Sequence, residues 1–281
     1  MYFLEILKAI VIGAVEGITE WLPISSTGHM ILIDEILKLR VSESFLEMFL
    51  VVIQLGAICA VPVLFWDKLY PFARKKSQTE NNQTWNLWGK VIVGAVPAAI
   101  CGLLLDDLLD LYLYNYIVVA IALILYGIGF IFVEKIKAEK KFRVNEIEEL
   151  SYLDALKIGA FQVLSLIPGT SRSGSTILGG MLLGVSRKVS AEFSFFMAIP
   201  IMVGASGLKL LKFIFEGSTA TGGEIGLLLI GLVVSFAVSL YAIKFLMDFV
   251  KRHDFKVFGY YRIGLGAFVI IFFIIKSLVS A

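Results

Sequence analysis

Six stretches of this chain, at about 44 to 66, 85 to 108, 113 to 134, 190 to 214, 224 to 249 and 257 to 279, are long, apolar and nearly free of charge. A bilayer core about 30 Å thick is crossed by a helix of roughly 20 apolar residues, so six such runs describe a polytopic membrane protein. Inside hydrocarbon every backbone N–H and C=O must be paired within the protein, and runs of this length satisfy that requirement as helices. The expected fold class is therefore an all-α polytopic membrane protein. Composition agrees, because 58% of the 281 residues are hydrophobic and only 17% are charged, a balance foreign to soluble globular domains. The net charge of +2 says little about partners. Cys59 and Cys101 both fall in apolar stretches and read as small hydrophobes, not as a disulfide or a metal pair. With Glu5 and Lys8 in its first turns and no basic region ahead of an apolar run, the N-terminus does not read as a cleaved signal peptide.

Two further hydrophobic segments differ from the six. Residues 2 to 38 and 151 to 186 are each interrupted near the middle by a polar, proline-containing turn. The first turn is Pro23-Ile24-Ser25-Ser26-Thr27-Gly28-His29; the second is Pro168-Gly169-Thr170-Ser171-Arg172-Ser173-Gly174-Ser175-Thr176. Irregular polar backbone is tolerated at membrane depth only when buried in protein or lining a wet cavity, so both segments are expected to be re-entrant helical hairpins. The chain also repeats itself. Residues 9–16 align with residues 155–162, and after a one-residue gap Pro23 aligns with Pro168 and Ser26 with Ser171. Each copy is followed by three long spans, which divides the chain into a first membrane repeat at 1–134, a charged connector at 135–150 and a second repeat at 151–281.

Lysine and arginine set the orientation. Lys68, Arg74, Lys75, Lys76 and Lys90 surround the loop after the first span, Lys135, Lys137, Lys140, Lys141 and Arg143 occupy the connector region, and Lys251, Arg252 and Lys256 follow the fifth span. By the positive-inside rule all three regions belong in the cytoplasm. Asp106, Asp107 and Asp110, and the uncharged loop at 217–223, suit the exterior. Both termini are then external. An odd number of crossings per half inverts the second repeat relative to the first, and such inverted-topology repeats place a site near the midplane, where broken helices meet.

The chemistry concentrates at these two turns. Glu16 and Glu20 stand four residues apart, on one face of a helix, just before the first turn. Ionisable groups at membrane depth cost roughly 2.5 to 3.5 kcal/mol each even on the lenient scale, which makes them functional candidates. Of the two histidines, His253 sits among Lys251, Arg252 and Asp254 and reads as solvated surface, whereas His29 lies inside a hydroxyl-rich membrane turn, where its imidazole can accept a proton. In the second turn Arg172 is flanked by Ser171, Ser173, Ser175 and Thr176, with Gly169 and Gly174 nearby. Free backbone N–H groups at such a turn, together with a guanidinium, resemble a phosphate cradle. In the alignment Glu16 faces Gln162, Glu20 faces Leu166 and Thr27 faces Arg172, so one half supplies anions and a base and the other a cation. A pyrophosphate ester calls for this combination: carboxylates to hold a divalent metal, cations to neutralise phosphoryl oxygens, and a hydroxyl or water to attack in line.

Residues 16–29 and 168–176 resemble the two signature motifs of the bacitracin-resistance type undecaprenyl-pyrophosphate phosphatases, and the resemblance extends over essentially the whole chain in length, repeat and spans. It implies hydrolysis of the C55 pyrophosphate to the monophosphate and inorganic phosphate, dependence on Mg2+ or Ca2+, and an active site facing the periplasm of the bacterial inner membrane. It also implies that Glu16 and Glu20 form the acidic, metal-binding motif, Ser26 and His29 the catalytic turn, and Arg172 the phosphate-binding arginine. Ser25, Thr27, Gly169, Ser171, Ser173 and Thr176 are expected to contact the substrate. Expected partners are the polyprenyl pyrophosphate and membrane lipids, with room for a homodimer and no nucleic acid.

Three nucleophiles are open: Ser26, His29 and a metal-bound water. Ser26 with His29 as general base uses every group in the turn and is the favoured arrangement. Inverted repeats with re-entrant hairpins are also the frame of secondary transporters, so a carrier of lipid or anion is the competing reading.

Overall fold

The computed structural model describes residues 2–72, 76–137 and 141–280; Arg74, Lys75 and Lys140 of the expected basic loops lie outside the described residues, and of Asp106, Asp107 and Asp110 only the backbone is described. Among the described residues the regular elements are helices, with one isolated bridge between Val144 and Val185. In chain order the helices are α1 (Tyr2–Thr19), α2 (Ser26–Leu37), α3 (Glu43–Leu64), the short α4 (Trp66–Leu69), α5 (Gln78–Leu113), α6 (Tyr116–Lys137), α7 (Tyr152–Val163), α8 (Arg172–Leu182), α9 (Arg187–Phe215), α10 (Gly222–Phe249) and α11 (Lys256–Ser280). Six of them, α3, α5, α6, α9, α10 and α11, are long and apolar enough to cross a bilayer. They coincide with the six apolar runs, which marks the chain as a multi-pass membrane protein. The largest extension is at the start of α5, where Ser77 and Glu80 form a reciprocal cap that begins the helix well ahead of its apolar stretch.

Both interrupted segments fold as two helices around a break. In the first, α1 ends at Thr19 and α2 begins at Ser26; in the second, α7 gives way to a 3-10 turn at Leu164–Leu166 before α8 starts at Arg172. Each pair precedes three long helices, and the packing follows the same order. Helix α1 lies along α10 as α7 lies along α5, while α6 packs on α11 and α3 on α9. Glycines allow the first two approaches. A Cβ on Gly13 would sit 2.7 Å from the Gly231 carbonyl oxygen, and one on Gly159 would meet the Gly94 backbone still more closely. Without a hydrophobic driving force between helices in lipid, backbone proximity of this kind is what holds them.

The loops gather at two ends. At one end Tyr2 donates to the Gly223 carbonyl (3.0 Å), the Ser42 N–H meets Glu224 (3.4 Å) and Lys209 pairs with Glu47 (2.8 Å). At the other, Lys90 donates to the Glu148 carbonyl, Arg143 pairs with Asp154 and Lys188 with Glu146. The loop after α3, the connector and the loop after α10 therefore share one end, as their lysines and arginines suggest.

The connector is less independent than its charge implies. Val144 forms a parallel bridge with Val185, with the Arg143 N–H on the Gly184 carbonyl (2.7 Å) and the Ser186 N–H on the Val144 carbonyl (2.8 Å). Glu134, at its start, belongs to α6 and is fully buried; it accepts Arg187 through both oxygens and the Phe255 N–H at 2.8 Å. One carboxylate thus ties α6, α9 and the start of α11 together at this end.

Candidate active site

The Glu20 carboxylate joins the two interrupted hairpins. Helix α1 ends at Thr19, but the Glu20 N–H still reaches the Glu16 carbonyl at 3.0 Å, so the last helical turn sets the direction of both glutamates. Glu20 Oε1 accepts Arg172 Nη2 at 2.9 Å and Nε at 3.2 Å, two donors converging on one oxygen across 152 residues of sequence. Its Oε2 accepts the Ser26 hydroxyl at 3.0 Å. Ser26 is the first residue of α2 and Arg172 the first of α8, so two helix N-termini meet at one carboxylate. Partial positive charge at each terminus favours an anion there. The guanidinium is also held by the Ser194 carbonyl (2.7 Å) and hydroxyl (3.2 Å) and lies 5.6 Å from the centre of the Trp21 ring.

The same local device starts both helices. Ser25 and Ser171 each adopt a left-handed backbone, with φ of 74° and 72°, and each hydroxyl accepts an N–H three residues on, from Gly28 and Gly174. A non-glycine residue in this region is strained, and strain of this sort persists only where surrounding contacts enforce it. The matching caps correct the register of the sequence alignment. Ser171 corresponds to Ser25, not Ser26, and Arg172 stands opposite Ser26, not Thr27. The second break is one residue longer between its proline and its cap, a difference that a gap placed before the proline misassigned.

Several residues expected to contact substrate are committed to the fold. Ser25 is fully buried, its hydroxyl capping α2 and its carbonyl accepting His29 Nδ1. Ser171 caps α8. Ser173 donates to the Glu20 carbonyl (3.1 Å), and Thr176 bonds the Arg172 carbonyl (2.9 Å) and the Ser194 hydroxyl (2.6 Å); both are fully buried. Gly169 has φ of +92° and a Cβ there would meet the Val119 carbonyl oxygen at 2.5 Å, so glycine is required by the turn. Ser25, Ser173 and Thr176 act from within the packed interior to position Arg172 and Glu20, while Ser171 is half-buried. Thr27 and Ser26, at the start of α2, are half-buried.

His29 is not paired with Ser26. Its Nδ1 lies 2.7 Å from the Ser25 carbonyl and its Nε2 2.7 Å from Tyr261 Oη, with the two rings stacked. A carbonyl can only accept, so Nδ1 carries the proton and Nε2 of the neutral ring accepts from the tyrosine. The group that touches the Ser26 hydroxyl is Glu20, and the expected Ser26–His29 relay is replaced by a Ser26–Glu20 contact.

Glu16 is 1% exposed and its Oε1 has no hydrogen-bond partner among the described residues. The corresponding residue of the second hairpin, Gln162, is fully buried with both amide atoms likewise unpartnered. A buried carboxylate oxygen without a donor fits a cation, and a divalent ion that keeps substrate oxygens in its shell needs only one or two carboxylates from the protein. Among the described residues no cluster of three acidic, histidine or cysteine side chains exists, and Glu16 and Glu20 are the pair of carboxylates at this site that could hold such an ion.

The family model described as bacitracin resistance protein BacA matches residues 9–268. The chain belongs to the BacA family. Among its relatives, the undecaprenyl-diphosphatase of Desulfitobacterium hafniense is 54% identical over 281 residues, covering all of both chains. The undecaprenyl-diphosphatase of Enterococcus faecalis is 57% identical over 271 residues, with 96% of this chain and 97% of that one covered, and that of Streptococcus gordonii is 53% identical over 279 residues, with 99% of each covered.

In this BacA family member two site residues escape a reading of motifs. Ser194 anchors Arg172 from the middle of α9 and carries no signal, since serine is common on helix faces in membranes. Arg262 carries a clear one. It is fully buried in α11 and donates to the carbonyls of Pro23 (3.2 Å), Gly169 (2.8 Å) and Thr170 (2.9 Å), so a single guanidinium clamps both breaks. An arginine inside an apolar span is expensive and marks function or architecture, and the length of the last span concealed it.

Proposed function

We propose that this chain is an undecaprenyl-diphosphatase of the bacterial inner membrane, hydrolysing undecaprenyl pyrophosphate to undecaprenyl phosphate and inorganic phosphate. This recycles the carrier lipid for cell-wall synthesis and confers bacitracin resistance. The observation that carries the mechanism is the Glu20 carboxylate shared between Ser26 and Arg172 at two converging helix N-termini. Ser26 Oγ attacks the terminal phosphorus while Glu20 Oε2 takes the hydroxyl proton; the bond to the bridging oxygen breaks and undecaprenyl phosphate leaves. Water then displaces Ser26 from phosphorus, Glu20 returns the proton to Oγ, and a water proton departs with inorganic phosphate. Arg172 and the N-terminal amides of α2 and α8 neutralise the charge that develops on the phosphoryl oxygens, fixed in advance by Ser194, Ser173, Thr176 and Arg262. His29 holds the strained Ser25 and, through Tyr261, α11. A divalent ion, Mg2+ or Ca2+, supplies further charge neutralisation when bound, with Glu16 and Glu20 as its protein ligands.

The two halves are read as inverted repeats, with both termini and the site opening at the periplasmic side. This is supported by the clustering of basic residues at the connector end. Purified protein in detergent, given undecaprenyl pyrophosphate, is expected to release inorganic phosphate, and Arg172→Lys to lose about 100-fold or more, because a single ammonium cannot replace three guanidinium nitrogens that bond Glu20 and Ser194 at once. Lipid moved across vesicles with no phosphate released would make the chain a carrier.

A further inference from the structure

We propose that a cavity at the connector end of the bundle, formed apart from the Glu20–Arg172 centre, binds the phosphate of a membrane phospholipid headgroup. The cavity has a volume of about 210 Å3 and lies between α4, the first turns of α5 and the turn at Ile147–Glu149. One stripe of α5 faces it, with Glu80, Thr84, Leu87 and Lys90 at helical spacing.

Two ammonium groups in this cavity form no close ion pair among the described residues. Lys90 is 7% exposed, and its Nζ donates to the Glu148 carbonyl at 3.1 Å. Lys76 Nζ donates to the Tyr70 carbonyl and the Thr84 hydroxyl, both at 2.9 Å. An ammonium has three donors, so one or two remain on each, and neither lysine forms an ion pair among the described residues. Lys68, the third lysine at the cavity, is already matched to the buried Glu192 at 2.6 Å. Carboxylates act on the other two only from beyond ion-pair distance, Glu80 on Lys76 and Glu148 and Asp154 on Lys90. Glu80 is held by the N–H and hydroxyl of Ser77 at 2.7 and 2.8 Å, and the exposed Asp67 and Glu148 lie where solvent and salt screen them.

A second observation places the cavity at lipid headgroup depth. Trp66 stacks on Tyr70 (4.3 Å), Tyr70 meets Phe72 (5.9 Å) and Phe72 meets Trp85 (5.8 Å), a continuous chain of aromatic rings from α4 through the residues that follow it to α5. Trp66, Phe72 and Trp85 are 51%, 67% and 54% exposed. Exposed aromatic rings in a membrane protein collect at the boundary between hydrocarbon and headgroups. A phosphodiester of a lipid in the adjoining leaflet then lies level with Lys76 and Lys90, its acyl chains running past the aromatic chain. Charge-assisted bonds from the two ammoniums satisfy both the ligand and the buried Lys90, while the Thr84 hydroxyl, which donates to the Glu80 carbonyl at 3.0 Å, accepts from Lys76 and holds it in place.

The test is native mass spectrometry of the full chain in detergent micelles titrated with dihexanoyl phosphatidylglycerol, with and without millimolar inorganic phosphate. The expected result is a saturable lipid adduct whose affinity falls about fivefold in Lys76→Gln and about 25-fold in Lys76→Gln/Lys90→Gln, from the usual gain per lysine near anionic lipid. Lys251→Gln, at an exposed pair with Asp248, leaves it unchanged, and dihexanoylglycerol, which lacks the phosphate, gives no adduct. Thr84→Val serves as an independent variant should loss of Lys90 impair folding, and it too weakens the adduct. Equal adducts in wild type and in the foldable variants overturn the proposal. Binding of inorganic phosphate that displaces the lipid at millimolar concentration also overturns it, and assigns the cavity to free phosphate.

Discussion

Replacing Glu20 by glutamine tests the centre of the mechanism. The carboxylate accepts three hydrogen bonds, from Arg172 Nε and Nη2 on one oxygen and from Ser26 on the other. Glutamine is nearly isosteric but has one acceptor end, so its NH2 faces either the guanidinium or the Ser26 hydroxyl. Loss of a hydrogen bond to a charged partner is worth about 1.5 to 3 kcal/mol, and loss of a general base about 10²- to 10⁴-fold in rate. Together these predict a fall in kcat of at least about 10³, or roughly 4 kcal/mol. Ser26→Ala is expected to fall comparably. Because the two groups act as one unit, the double variant should lie within about threefold of the worse single one. His29→Gln should be milder, about tenfold, since its ring nitrogens serve Ser25 and Tyr261. The assay is single-turnover phosphate release in detergent, with thermal unfolding to confirm that each variant is folded. Glu20→Gln within tenfold of wild type would refute the reasoning, as would a cycle in which Ser26→Ala is additive with Glu20→Gln but not with His29→Gln.

Three further outcomes are expected. Arg262→Lys cannot span the Pro23, Gly169 and Thr170 carbonyls with one ammonium, so kcat should fall about 10- to 100-fold with KM changed much less; equal kcat would show that the clamp is dispensable. Chelation should abolish turnover and Mg2+ or Ca2+ restore it, and Glu16→Gln should raise the ion concentration for half-activity by about 10- to 100-fold; an unchanged requirement removes Glu16 from the ion site. In a background with Cys59 and Cys101 replaced by alanine, a cysteine at Thr219 should react with an impermeant maleimide in whole cells and one at Gln78 only after permeabilisation, and external labelling at 78 would reverse the topology.

Much of the architecture was legible in the chain itself. The six membrane helices follow from apolar run length, and the two breaks from polar proline turns inside hydrophobic segments, because bilayer thickness and backbone hydrogen bonding act on each segment locally. Glu16, Glu20 and Arg172 stood out for the same reason: a charge is costly in hydrocarbon wherever the rest of the chain goes. Arg262 obeyed that rule as well and was overlooked inside a long span.

Tertiary structure decided the partnerships. Glu20 could be placed beside Arg172 only when the break after α1 met the start of α8, and Ser26 proved to face Glu20 while His29 turned to Ser25 and Tyr261. Ser173 and Thr176 looked like phosphate donors as hydroxyls in a motif, yet packing turned them into braces for the Glu20 and Arg172 backbones respectively. Even the alignment of the two halves was settled by backbone dihedrals, φ of 74° at Ser25 and 72° at Ser171, not by residue identity. Helix formation and membrane insertion respond to local composition, so they can be read along one dimension. Which oxygen accepts which proton depends on distances between residues far apart in sequence, 239 positions for Pro23 and Arg262, and only the packing of the helices sets those distances.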